Sequence, residues 1–192
     1  MENTEYNLDE VPSVGIYPIE DCPFKSTEHV RDFVKQYIKI PAGDLPSLFI
    51  TGPVLSGKTW VASRIALSLT LEPSPRSVRY TTLMDMVTAQ LEAKESVHRF
   101  YSPAVLFIDN INTDKNAYAP SLLSRVVRHR LDFAKPTVLV SSLDSAMFLE
   151  IYGKEMGERV SQMLILRLEQ DRAKLERIRQ RKHSMLATEE IL

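Results

Sequence analysis

Phe49-Ile50-Thr51-Gly52-Pro53-Val54-Leu55-Ser56-Gly57-Lys58-Thr59 decides how this chain is read. Its apolar start reads as a buried strand, and from Gly52 it matches G-x-x-x-x-G-K-T, the P-loop pattern. The spacing has a chemical reason. Gly52 and Gly57 let the backbone turn tightly without a Cβ, since glycine takes positive φ at little cost. The N–H groups of Pro53-Val54-Leu55-Ser56 and their neighbours, proline excepted, then form an anion nest. Lys58 brings a point charge to the β- and γ-phosphates of a nucleotide, and the Thr59 hydroxyl is a ligand for Mg²⁺. From Trp60 onward, Val61, Ile65 and Leu69 recur at helical spacing with Ala62 and Ala66, so the loop opens onto a helix N-terminus, which favours phosphate.

The rest of the chain supplies strands and helices in alternation. Val78-Arg79-Tyr80-Thr81 reads as a second strand, and Leu83, Met86, Val87 and Leu91 as a helix. Ala104-Val105-Leu106-Phe107-Ile108 is a continuous apolar run, the mark of a strand covered on both faces. Residues 111–119 read as a loop. Pro120 suits the first position of a helix whose inner face is Leu122, Leu123, Val126, Val127 and Leu131. Thr137-Val138-Leu139-Val140 is a fourth strand. A helix near 144–152, a turn at Gly153, a short helix near 157–162 and a strand at 163–166 follow. Before the loop, a helix runs from the caps Ser26 or Thr27 to about Ile40. Strands alternating with helices predict an α/β fold with a parallel sheet flanked by helices.

Composition sets outer limits. The 192 residues suffice for one domain with a core, and 44% hydrophobic with 26% charged is the ordinary globular mixture. A net charge of −1 means that any nucleic-acid contact comes from a local patch. The single cysteine, Cys22, makes no internal disulfide, which suits a reducing cytoplasm. No apolar run is long enough for a membrane span, and no secretory signal pattern is present. Residues 1–24 carry Glu2, Glu5, Asp9, Glu10, Glu20 and Asp21 with no Lys or Arg, and read as an acidic arm. The core is expected over 25–168, and a charged C-terminal helix and tail over 169–192.

Beyond the loop, four positions and one cluster carry chemistry. Asp109 ends the third strand, at the sheet edge where ligands bind in α/β folds, and is placed to hold Mg²⁺ beside Thr59. Asn110 follows it where many ATPases carry an acid; its amide orients a water but takes no proton. Ser142 ends the fourth strand and is a candidate for sensing the γ-phosphate. Arg125, Arg128, His129 and Arg130 form a basic cluster on one helix, open to three readings: a solvated face, an arginine finger acting on a neighbour, or contacts to nucleic-acid phosphates. Arg159, in Gly157-Glu158-Arg159-Val160, is a second candidate arginine.

In this order, Gly52 to Thr59, Val78 to Asp85, the strand ending in Asp109, Arg130 ahead of Pro136-Thr137, Ser141-Ser142 and Gly157 to Val160 make the chain resemble the AAA+ ATPase domain of DnaC-type helicase loaders and IstB-type transposition ATPases. The resemblance implies a five-stranded P-loop NTPase core, ATP with Mg²⁺, head-to-tail homo-oligomers, and engagement of a replicative helicase and single-stranded DNA. It makes Arg130 the first choice for reaching a neighbour's γ-phosphate and Arg159 the second, since the position of the usual arginine holds Met163. Asn110 in place of an acid implies slow hydrolysis. The arm and tail are expected to dock the helicase, and the Arg125–Arg130 face the DNA. Three alternatives stand beside it: a transposition ATPase of the IstB type, a nucleotide-binding scaffold without turnover, and a small-molecule kinase, against which the short linker 72–76 argues by leaving no room for a lid.

Overall fold

The structure, a computed structural model, describes residues 28–71, 75–92, 96–112 and 117–169. The acidic arm, the caps Ser26 and Thr27, part of the linker at 72–76 and the tail beyond Glu169 lie outside the described residues.

Five strands form one parallel sheet in the order β2-β3-β4-β1-β5, with β1 Leu48–Thr51, β2 Val78–Thr82, β3 Val105–Asp109, β4 Thr137–Ser141 and β5 Leu164–Arg167. Every residue of β3 and β4 is buried, as their continuous apolar runs predict, whereas β5 at the edge buries only Leu166. The strand period of two sends alternate side chains to two cores. Leu48, Ile50, Val105, Phe107, Val138 and Val140 pack beneath α1 (Glu28–Tyr37) and α2 (Lys58–Leu71). Phe49, Leu106, Ile108 and Leu139 pack beneath α3 (Leu83–Leu91), α5 (Tyr118–Asp132) and α6 (Ser145–Ser161).

Helix ends follow local chemistry. Thr82 caps α3 in a reciprocal capping box with Asp85, and Asp144 caps α6 through the Met147 N–H. The turn expected at Gly153 is a kink within α6, at φ 77°. It lets Leu149 of the first half lie over Gly157 of the second, where a Cβ would collide with the Leu149 methyl. Two details differ from expectation. Pro120 is the third helical residue of α5; its missing N–H still costs nothing, because the first helical N–H groups have no partner in the helix. A one-turn helix, α4 (His98–Tyr101), precedes β3, and four residues are too few to show a period.

Candidate nucleotide site

The strands bring the loop after β1, the Asp109 end of β3 and the Ser142 end of β4 to one edge of the sheet, the carboxyl edge. In the loop, Gly52, Leu55 and Gly57 have positive φ of 150°, 65° and 88°. Gly52 is required twice over. The chain leaving β5 crosses here, with the Leu168 N–H donating to the Thr51 carbonyl at 2.8 Å, and a Cβ at Gly52 would overlap the Leu168 carbonyl oxygen.

Three observations test whether this loop fits a phosphate. The Ser56 hydroxyl is buried beside Gly52 with no hydrogen-bond partner among the described residues, so a buried donor stands unsatisfied. The Lys58 ammonium curls back over the loop and donates to the Gly52 and Pro53 carbonyls at 2.8 and 2.6 Å. Burial lowers its pKa from the ordinary lysine value, and nearby Asp109 pulls it back up. Thr59 is exposed at the first turn of α2, and Pro53, Val54 and Leu55 form the exposed tip. A phosphate fits these groups. Trp60, read with the loop as nucleotide-binding, has its indole buried in the core under α1 and α2.

Asp109 is buried and held at both oxygens. The Tyr80 hydroxyl donates to one at 2.8 Å, and the Asn110 N–H to the other at 2.6 Å. Burial, and Asp109 after it, push the Tyr80 pKa far above the usual tyrosine value, so the phenol stays a donor. Each carboxylate oxygen keeps a lone pair for Mg²⁺ or its water. Among the described residues no cluster of three or more His, Cys, Asp or Glu could hold a metal, so such an ion would depend on Thr59, Asp109 and the phosphates themselves.

Asn110 and Ser142 are joined by a residue the sequence does not single out. Asn112 donates through its amide nitrogen to the Asn110 side-chain oxygen. Its own oxygen accepts from the Ser142 N–H at 2.8 Å and the Ser142 hydroxyl at 2.7 Å. Asn110 sits at φ 56°, a left-handed conformation that asparagine tolerates better than most residues. Asn112 falls in a polar stretch read as loop, and an amide two residues beyond a strand end is a faint signal. Tyr80 was legible only as a strand residue; pairing with Phe107 in register, and stacking on it at 5.5 Å, aims its hydroxyl at Asp109.

The two arginines lie elsewhere. Arg130 cannot reach a neighbour's phosphate, because its side chain has 0% exposure. Its Nε donates to Thr137 Oγ1, and its terminal nitrogens to the carbonyls of Phe100, Tyr101, Pro103, Ala104 and Pro136. It ties α4 and the entry to β3 onto the start of β4, at the edge opposite the loop. Burial lowers its pKa to about 10, so it is still a cation at neutral pH. The basic face of α5 therefore consists of Arg125 and Arg128, with His129 half-buried beside them. Arg159, 25% exposed, pairs with Glu155 at 3.2 Å and with Asp132 of α5 at 3.7 Å, also near the opposite edge.

A cleft of about 960 Å³ adjoins the loop, between α6 and β5. Gly52, Pro53, Ser142, Phe148, Leu149 and Ile165 are among the residues that line it. Lys58, Thr59 and Asp109 do not line it, so it borders the phosphate cradle without containing it. Among the described residues no helix is long and apolar enough to cross a membrane.

No family model and no curated sequence matches the chain. Solved structures do. AMPPCP-bound DnaA from Aquifex aeolicus aligns at 17% identity over 88% of this chain and 51% of that one, with a TM-score of 0.63. The DnaC helicase loader aligns at 16% identity over 73% and 86%, with a TM-score of 0.62. DnaI aligns at 13% identity over 81% and 88%, with a TM-score of 0.67. The chain thus spans about half of the DnaA structure and most of the DnaC and DnaI structures. At these identities the likeness establishes the fold alone, which this chain shares with the DnaA, DnaC helicase loader and DnaI structures.

Proposed function

We propose that the chain is an ATP·Mg²⁺-binding replication protein of the loader type, which engages a replicative helicase and single-stranded DNA and hydrolyses ATP slowly. The loop carries this reading: an orphan buried hydroxyl at Ser56, a curled lysine and a two-point-anchored aspartate meet at the edge where this fold binds ligands. The Ser56 hydroxyl, and the Lys58 ammonium once turned off its two carbonyls, would bind the phosphate oxygens. Thr59 and Asp109 would hold Mg²⁺, which would supply charge neutralisation there. Fold likeness to the DnaC helicase loader supports the partner class. Arg159 at the edge opposite the loop suits a head-to-tail contact, in which one subunit's far edge faces its neighbour's loop. Deciding measurements are calorimetric titration with ATP·Mg²⁺, lost in Lys58→Ala, and co-purification of the host helicase. Nucleotide binding unchanged in Lys58→Ala removes the site; binding without helicase removes the loader role alone.

A second reading, a nucleotide-responsive scaffold, is favoured by one observation. The groups at Asn110, Asn112 and Ser142 are amides and a hydroxyl bonded to one another, and none is a base at neutral pH. Turnover by the assembled protein, absent even with helicase and DNA, would select it.

A further inference from the structure

At the edge opposite the loop, four rings form a ladder that the nucleotide site does not use. His98 meets Tyr101 edge-on at 5.6 Å. Tyr101 stacks on His129 at 3.8 Å and 10°, and His129 on Phe133 at 4.7 Å and 28°. Phe133 ends both the ladder and α5, and is 66% exposed. Burying an aromatic ring is worth a great deal, and a phenylalanine that stacks on one side and stands in water on the rest leaves that gain unused. Cations flank it. Arg125 and Arg128 lie on the same exposed stripe of α5, since positions 125, 128, 129 and 133 are neighbours at helical spacing. Lys135 is anchored beside Tyr101 by its carbonyl at 2.8 Å. The nearest acid on the stripe, Asp132, faces Arg159 at 3.7 Å.

We infer that the Phe133 end of this ladder is a stacking platform for an unpaired base of a single-stranded nucleic acid, with Arg125, Arg128 and Lys135 along its phosphates. Parallel rings at stacking distance extend naturally by one more flat ring, and a base stack presents one. Stacking is tolerant of base identity and needs no hydrogen-bond readout, which suits a patch that offers rings and cations and little else. Both strand chemistries, deoxyribose and ribose, present this combination. The inference rests on the proposed engagement of single strands and gives it a location, one far from the loop.

The test is fluorescence anisotropy of the full chain with labelled oligothymidylate and oligouridylate, with a duplex and an abasic strand as controls. Phe133→Ala should weaken single-strand binding about five- to a hundred-fold, and Phe133→Trp should restore it. Abasic strands should bind wild type and Phe133→Ala alike. Arg128→Ala should lower the salt slope by about 0.7, one phosphate on a single strand. The strand bound more tightly identifies the source. Since Phe133 is exposed, the variant should fold, and unchanged ATP titration checks this. Equal binding by wild type and Phe133→Ala overturns the platform while leaving single-strand engagement standing. No binding by wild type at low salt overturns both. Loss of self-assembly in Phe133→Ala with unchanged oligonucleotide affinity assigns the ring to a subunit contact and overturns the proposal.

Discussion

At the scale of single residues, the amide pair at the carboxyl edge makes the sharpest forecasts. Asn112 fixes both the Asn110 oxygen and the Ser142 hydroxyl, so Asn112→Ala should reduce turnover about ten- to a hundred-fold, the usual consequence of a small misplacement, with nucleotide affinity little changed. Asn112→Asp should recover part of it by keeping the Ser142 contact; single-turnover kinetics separate rate from binding. Installing an acid at Asn110 should accelerate hydrolysis if a general base is what the site lacks, a term of about 10²–10⁴-fold. The backbone decides which acid. At φ 56° aspartate is tolerated, whereas glutamate costs about 1 kcal/mol, so Asn110→Asp is the cleaner variant. Lys58 adds a pH dependence. Its phosphate-binding form is the charged one, and burial lowers its pKa, so ATP affinity should fall on alkalinisation before a surface lysine would lose its charge. Lys58→Arg, charged throughout, should flatten that profile in pH-dependent calorimetry.

At the scale of elements, the glycines separate by cause. Gly153→Ala meets nothing within 4 Å, so its cost is the backbone alone, at φ 77° and ψ 171° a conformation nearly confined to glycine, about 1–3 kcal/mol by denaturant unfolding. Gly52→Ala strikes the Leu168 carbonyl and should therefore unseat the exit of β5 as well as weaken nucleotide binding. Strands and helices were legible because periodicity is local: the apolar runs of β3 and β4, the spacing of α2 and α5, and the glycine turn in α6 each carry their own signal. The glycine loop after β1 and the strand end at Asp109 were legible for the same reason, being motif and strand end. What stayed hidden depends on juxtaposition. Asn112 gains its role from Ser142, thirty residues away, and Tyr80 from its register against β3. Arg130 was misread because a charged residue in a cluster looks exposed. Its burial follows from carbonyls of two other segments converging on it, which no spacing reveals.

At the scale of the molecule, the loop and Arg159 stand at opposite edges of one sheet, and the proposed head-to-tail contact would bring one subunit's Arg159 to its neighbour's loop. Light scattering with ATP·Mg²⁺ should show assembly, weakened by Arg159→Ala and untouched by oligonucleotide. Assembly indifferent to nucleotide and to Arg159 would point to a monomer. The interior cation sets a different property, how the fold opens. Among the described residues Arg130 has only neutral acceptors, drawn from residues 100–104 and 136–137, and loosening any one segment strands a charge in the core. Segments 100–104, 130 and 136–137 should therefore lose hydrogen-exchange protection together, as one cooperative unit, whereas the kinked α6 opens at its own lower free energy. Among the described residues, the far edge of the sheet, remote from the subunit's own glycine loop, should then be the part that breathes least.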